Sequence, residues 1–249
     1  MRVRPAVPTL AYFVLGFAVL CALAAILSGL GHRWGWWTYQ AGFSILQWAA
    51  YFGLGAAVVS LTGLALGLLV GAWRSLVWTV LGLVVASATV GVPWWYLRDA
   101  REFPAIHDIT TDFDDPPRFV AVLPLRADAP NSADYGGPVV AVLQQHAYPD
   151  IAPAVLRLPP DRAFDLAAAA AREMGWEIVA EVPSERRLEA TARTFWFGFK
   201  DDVVVRITPD LDGSRVDVRS VSRVGVSDLG ANARRIRAYL ARIAAAAGG

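Results

Sequence analysis

The sequence predicts a membrane anchor of three α-helices followed by an α+β domain. In that domain an antiparallel sheet of four or more strands carries two helices on one face. Three observations predict this. The first 98 residues contain no Asp and no Glu, so all 22 acidic residues lie from Asp99 onward. That acid-free segment holds three long apolar runs. The stretch from Asp161 onward reads as helix, four strands and helix with short connections, the order of an α+β layer fold.

Composition agrees with a chain of two unlike parts. Its 249 residues are enough for one or two domains. Hydrophobic residues make up 55% and mean hydropathy is +0.40, too apolar for an ordinary soluble protein. Eight of the ten Trp lie before residue 98. The net charge of +1 is an average. Arg2, Arg4, Arg33, Arg74 and Arg98 give the first part +5, and 18 basic against 22 acidic residues give the remainder −4. A mildly acidic outer part argues against nucleic acid as a partner, because phosphate binding needs a basic surface. Cys21 is the only cysteine, so no intrachain disulfide forms. Leu20 precedes it where lipid acylation would require a small residue, and Cys21 reads as a small hydrophobe within a helix.

The apolar runs cover roughly Pro8–Leu30, Ala41–Val70 and Ser75–Leu97. Each exceeds the ~18–20 residues that cross the hydrocarbon as a helix. The first is longer than a signal-peptide core and two more follow, so it reads as a retained span. Trp34, Trp36, Trp37 and Tyr39 lie between spans one and two, and Trp94, Trp95 and Tyr96 end span three. Aromatic rings anchor at the bilayer interface. No Asp, Glu or Lys falls inside a span, and His32 and Arg33 sit at a loop, which argues against a transporter or channel. Gly63, Gly67 and Gly71 stack on one face of span two. Packing against spans one or three is the first reading of that face, and a homo-oligomer through span two is the second.

Arginines set the orientation. With the N-terminus inside, Arg2, Arg4 and Arg74 lie inside and Arg33, Arg98 and Arg101 outside, a tie. The first helix then decides, and its flank favours a cytoplasmic N-terminus. Three crossings make this a multi-pass inner-membrane protein with a periplasmic, extracytoplasmic C-terminal part.

Residues 1–98 thus form the anchor, 99–160 a proline-rich extended arm and 161–249 the α+β domain, with 99–249 as one soluble unit. The arm is expected to form short strands at Phe119–Leu123 and Val139–Leu143. Asp161 is a plausible N-cap of an Ala-rich helix ended by Gly175. Strands are expected at Trp176–Val182, Arg187–Phe197, Asp202–Thr208 and Ser214–Val221, with a turn at Pro209–Gly213. Ser227 or Asp228 caps the last helix, which places Leu229, Ala233, Ile236, Leu240 and Ile243 on one face.

Several side chains are candidates for chemistry. His107, Asp108, Asp112, Asp114 and Asp115 cluster in sequence. Pro116 and Leu123 break the calcium-loop pattern, and too few His or Cys occur for zinc, so no metal is expected and these residues read as turn caps. Strand parity places Arg193, Arg206, Arg219 and Arg223 on the face away from the helices, with Glu189 and Asp217. Cross-strand ion pairing is the first reading of that face and an anion-binding surface the second. No nucleophile-elbow pattern surrounds any serine. Phe195-Trp196-Phe197-Gly198-Phe199 presents aromatics on both strand faces, one for the core and one for the arm or the bilayer interface.

Ile106-His107-Asp108-Ile109-Thr110-Thr111-Asp112 with Pro116-Pro117 resembles the opening motif of domain-of-unknown-function family number 1499. Ala147-Tyr148-Pro149-Asp150-Ile151 resembles its middle motif. Phe197 to Asp202, Asp217 to Gly225, and Ser227-Asp228-Leu229-Gly230 with Asn232 and Arg235 resemble its closing motifs. The likeness covers about Phe103 to Ile243. The family's activity is not established, so the resemblance implies no catalytic role and no cofactor. Some of its bacterial members look exported or lipid-anchored and its plant members look like plastid proteins, so the resemblance supports an extracytoplasmic domain here.

The polar signature His107, Asp108, Asp112, Arg219, Ser222, Arg223, Asp228 and Asn232 either fixes the junction of last strand and last helix or bounds a polar pocket. The leading expectation is a membrane-anchored envelope protein whose outer domain binds a small ligand or a protein partner. The alternatives are a hydrolase-like enzyme using His107 and nearby carboxylates, and a structural subunit of a membrane complex.

Overall fold

A computed structural model describes residues 6–248, which leaves Arg2, Arg4 and Gly249 outside the described residues. The chain divides into two compact units, residues 1–101 with 195–198, and residues 102–194 with 199–249.

The first unit contains helices α1 (Ala6–Arg33), α2 (Tyr39–Leu69) and α3 (Trp73–Asp99). Over Thr9–Arg33, Tyr39–Leu69 and Trp73–Glu102 they are long and apolar enough to cross a membrane. Small side chains let the backbones approach, with Ala18, Ala56 and Ala86 meeting at the centre. A Cβ at Gly67 would stand 2.7 Å from the Leu76 side chain, and one at Gly63 3.5 Å from Thr79. Gly63 and Gly67 therefore face α3 of the same chain. Gly71 has φ +66 and makes the turn into α3. Thr62, Thr79 and Thr89 donate to the carbonyls of Val58, Ser75 and Val85 at 3.0, 2.9 and 2.8 Å. Such back-bonding satisfies hydroxyls where lipid offers no partner. Residues 195–198 pack in this unit, where Trp196 Nε1 donates to Ile26 O at 2.9 Å and Arg33 Nη1 to Phe195 O at 2.8 Å.

The second unit runs β1 (Asp108–Thr110), α4 (Gly137–Ala147), β2 (Ala154–Leu156), α5 (Pro160–Glu173), β3 (Glu177–Val182), β4 (Arg187–Arg193), β5 (Lys200–Asp210), β6 (Gly213–Ser222) and α6 (Ala231–Ala247). The sheet has six strands in the order β1-β6-β5-β4-β3, and β2 also pairs with β6. Every pairing is antiparallel. Helices α5 and α6 cover one face. Their Ala167, Ala171, Ile236 and Ile243 bury against Leu188, Val203, Val205 and Val218, and Trp176 stacks on Tyr239 at 4.6 Å. The arm covers the other face, where Phe119 and Val122 pack on Val204 and Val221. This is the α+β fold that the element order predicts.

Local details depart from the sequence reading. The segment 119–123 forms no strand and leads into a 3-10 turn at Leu123–Arg126. Val139–Leu143 lies within α4. Gly137 at φ +69 turns the chain and Pro138 opens the helix at its first turn, so the valine run coils instead of extending. Buried Gln144 holds α4 in place, accepting from Thr110 N at 3.0 Å and donating to Thr110 O at 2.7 Å. The arm also supplies β1 and β2. Strand β4 ends at Arg193, not Phe197: Thr194 Oγ1 accepts from Phe199 N at 2.9 Å and Gly198 turns at φ +68. The turn after β5 shrinks to Leu211 and Asp212, because Asp210 still pairs with Gly213. Pro159 is the N-cap of α5, and Asp161 in its first turn reaches Arg186 at 2.8 Å. Gly230 at φ +73 is the N-cap of α6, yet the Asp228 carboxylate still accepts from Gly230 N and Asn232 N at 2.8 and 2.7 Å.

Candidate binding site

Strand β6 alternates sides, and that alternation divides the polar signature. Ser220 and Ser222 point toward the helices, whereas Asp217, Arg219 and Arg223 point toward the arm. On the helix side, Asn232 Nδ2 donates to His107 O and Ser222 Oγ, each at 3.0 Å. Ser220 Oγ donates to Asn232 Oδ1 at 2.7 Å. Arg235 joins them, donating to Asp201 Oδ2 at 2.5 Å and to Ser220 Oγ at 3.0 Å. Asp228 N donates to Ile106 O at 3.2 Å, so the entry of β1, the end of β6 and the start of α6 form one knot. Burial pushes the Asp228 carboxyl up, opposed by the backbone amides of Asn232 and Gly230. The His107 ring places Nδ1 3.4 Å from Val226 O.

On the arm side the charged groups of the sheet are paired. Arg219 grips Asp108 with two prongs, Nε to Oδ1 at 2.9 Å and Nη2 to Oδ2 at 2.7 Å. Its guanidinium lies between the rings of Phe119 and Tyr135, at 5.2 and 5.4 Å from their centroids. Burial pushes the Tyr135 hydroxyl up to about 12. Asp112 accepts from Arg206 at 3.1 Å and Arg215 at 3.0 Å, and its other oxygen receives the amides of Asp114 and Asp115 at 3.1 and 3.0 Å. Among the described residues no group of three His, Cys, Asp or Glu gathers as metal ligands would.

Asp202, fully buried, binds two guanidiniums. Arg126 Nη1 donates to it at 2.6 Å, Arg223 at 2.8 Å through both Nε and Nη2, and Thr191 Oγ1 at 2.7 Å. Burial pushes its carboxyl up, but the hydrogen bonds from Arg223, Thr191 and Arg126 together outweigh burial and hold it below its ordinary value. A depressed carboxylate stabilises the fold above the unfolded value of about 3.9 and loses that contribution as pH falls through the lower folded value. Melting temperatures recorded from neutral pH to below pH ~4 should therefore fall less steeply at the acid end for Asp202→Asn than for the parent. Parallel curves would show that Asp202 does not carry this acid sensitivity.

The signature residues thus do not meet in one place. His107, Ser222, Asp228 and Asn232 belong to the helix side, and Asp108, Asp112, Arg219 and Arg223 to the arm side. A cleft of about 420 Å³ opens elsewhere on the arm side, lined by Asp115, Pro117, Arg118, Val120, Glu185, Arg187, Val204 and Arg206. Arg187 and Arg206 stand directly opposite each other on β4 and β5. Such like-charge pairs need carboxylates beside them. Arg206 has Asp115 at 2.7 Å, and Arg187 has Glu185 at 2.9 Å and buried Glu189. Exposed Arg118 has no ion pair or hydrogen bond among the described residues. The sequence reading named Arg206 on this face but not Arg118 or Arg187. Arg187 shares the parity of Glu189, so its side was readable, whereas Arg118 reaches the cleft only through the path of the arm.

A family model described as a protein of unknown function (DUF1499) matches residues 108–243. The match begins at β1 and ends within α6, leaving α1, α2 and α3 outside it. No curated protein matches the chain.

Proposed function

The chain belongs to the DUF1499 family, and from that premise we propose a membrane-anchored envelope protein whose C-terminal unit faces out of the cytoplasm and binds a small ligand. The ligand carries one carboxylate or phosphate group on an apolar body. The observation that carries this reading is Arg118 in the cleft. The neighbouring guanidiniums of Arg187 and Arg206 are already matched by carboxylates, while Arg118 is available. Pro117, Val120 and Val204 offer apolar wall to the rest of the molecule. A guanidinium fork suits carboxylate and phosphate alike. The hydrolase reading has weaker support. The carboxylate beside His107 is committed to Arg219, and that of Asp228 to backbone amides.

The test uses the full chain in detergent against a panel of small carboxylates, phosphate monoesters and their neutral analogues. A ligand present at about a hundred times its Kd stabilises by about 2.7 kcal/mol, several degrees in Tm. The shift should appear with acidic members only and vanish in Arg118→Ala. A panel that shifts nothing, or a shift indifferent to Arg118, defeats the reading. A reporter enzyme that matures only outside the cytoplasm, fused after Gly249, should be active.

A further inference from the structure

The aromatic run Phe195-Trp196-Phe197 takes no part in the cleft or in the polar knots. Its residues belong to the same compact unit as the three long helices. Trp196 Nε1 donates to the carbonyl of Ile26, inside the span Thr9–Arg33. Ile26 lies seven residues before Arg33, about 10 Å along the helix axis. Phe197 is buried, its ring 4.8 Å from Phe43 and 6.3 Å from His32. Both helices are notched to receive these rings. A Cβ at Gly29 would stand 2.5 Å from Trp196 Cδ1, and one at Gly42 3.0 Å from Phe197 Cε1. Arg33 donates to the Phe195 carbonyl at 2.8 Å, satisfying a backbone acceptor that hydrocarbon could not. Phe195 itself is 87% exposed beside these seated rings.

A Phe side chain so exposed, on a segment seated against a membrane-crossing helix, has lipid as its natural surroundings. Trp34 and Trp36, at the same end of α1, are also exposed, as aromatic rings at an interface are. We propose that residues 195–198 are a fourth membrane-inserted segment, with the Phe195 ring in the boundary between headgroups and acyl chains at the α1–α2 loop end. The occupant of the surface around Phe195 is thus the bilayer, because the anchoring rings are continuous with the lipid-crossing helices. The inference is independent of which side of the membrane that end faces and of any ligand in the cleft.

The single cysteine makes the test clean. In a Cys21→Ser background, Phe195→Cys is labelled with a polarity-sensitive fluorophore, and Leu211→Cys, at a site that is 100% exposed in the β5–β6 turn, serves as the aqueous reference. The full chain is reconstituted in vesicles of phosphatidylcholine and phosphatidylglycerol, some carrying a nitroxide high on the acyl chain. The label at 195 should emit to the blue of the label at 211 and be quenched several-fold more by the nitroxide lipid. It should be shielded from aqueous iodide. Because labelling could unseat the loop, Gly29→Leu in the Phe195→Cys chain gives a second reading. Displacing Trp196 should return the 195 emission to that of 211. Emission and iodide quenching at 195 equal to those at 211 in the parent background would overturn the proposal, whether the site then proves to be in water or kept for a protein absent from the vesicles. Emission unchanged by Gly29→Leu would also overturn it.

Discussion

Glu189→Ala is expected to destabilise the C-terminal unit by about 3–5 kcal/mol, the cost of breaking a buried ionic contact by removing one partner. Glu189 is fully buried on β4 and acts as an anion held by backbone. Its two oxygens accept from the amides of Val120 (3.0 and 3.1 Å), Ala121 (3.0 Å) and Val122 (3.0 Å), and it pairs with Arg187. Truncation leaves three amides without an acceptor, at about 1–3 kcal/mol for each that stays buried. For a unit of this size the melting temperature should drop by about 10 °C. Hydrogen exchange at residues 120–122 should accelerate first, because these amides clamp the arm to the sheet. Glu189→Gln should fall between, since one carbonyl oxygen cannot replace a carboxylate that receives four bonds. Exposed Glu185 nearby is the control, where Glu185→Ala should change stability by less than about 1 kcal/mol. An equally small effect at Glu189 would mean that the arm is held by Phe119 and Val122 alone.

The second large effect is expected at the Asp108–Arg219 pair. Either truncation alone should cost about 3–5 kcal/mol, because each strands a charge whose partner side chain is 7% exposed or less. Arg219→Lys should recover little, as an ammonium has neither the second prong nor the flat face that lies between Phe119 and Tyr135. Asp108→Leu with Arg219→Met should be far milder than the sum of the single changes, giving a large coupling energy in a double-mutant cycle measured by chemical denaturation. Additive losses would refute the coupling. The pH dependence carries a sign. Burial pushes the Asp108 carboxyl up and the Arg219 hydrogen bonds oppose it. In Arg219→Ala burial loses its main opponent and faces only the weaker fields of His107 and Arg126, so the folded form binds its proton more tightly than the unfolded chain. Stability lost at neutral pH should then be partly regained on acidification toward the unfolded value of about 3.9.

These two sites mark how far the sequence could be read. Alternation along β4, β5 and β6 was enough to place Glu189, Arg206, Asp217, Arg219 and Arg223 on the face away from the helices. The same alternation already separates Ser222 from Arg219 and Arg223, so the division of the signature was legible in the residues. What covers that face was not. The partners of Glu189 are amides of residues 120–122, and a backbone amide leaves no trace in side-chain chemistry. Nothing in the sequence around Arg126 names its partner, because only the path of the arm brings it onto Asp202. The valines of α4 read as a short strand, but the turn at Gly137 and Pro138 in the first helical turn start a helix there, which Gln144 then fixes to Thr110. Phe195 to Phe199 had strand alternation, but Gly198 and the seating of Trp196 and Phe197 among the helices overrode it. The spans were legible because their signal is compositional and needs no partner.

Gln144 also bears on how neighbouring copies meet. Three helices long and apolar enough to cross a membrane would confine the chain to a plane, where copies collide far more often than in solution. Exposed sheet margins are then templates for strand exchange between molecules. At the β1 margin the side-chain amide of Gln144 imitates a further strand, engaging both the N–H and the C=O of Thr110. At the opposite margin β3 is broken in register between Ile178 and Ala180 and bears Glu177 and Glu181. A counterfeit strand at one border and a charged irregularity at the other leave little free template at either margin for a strand from another copy.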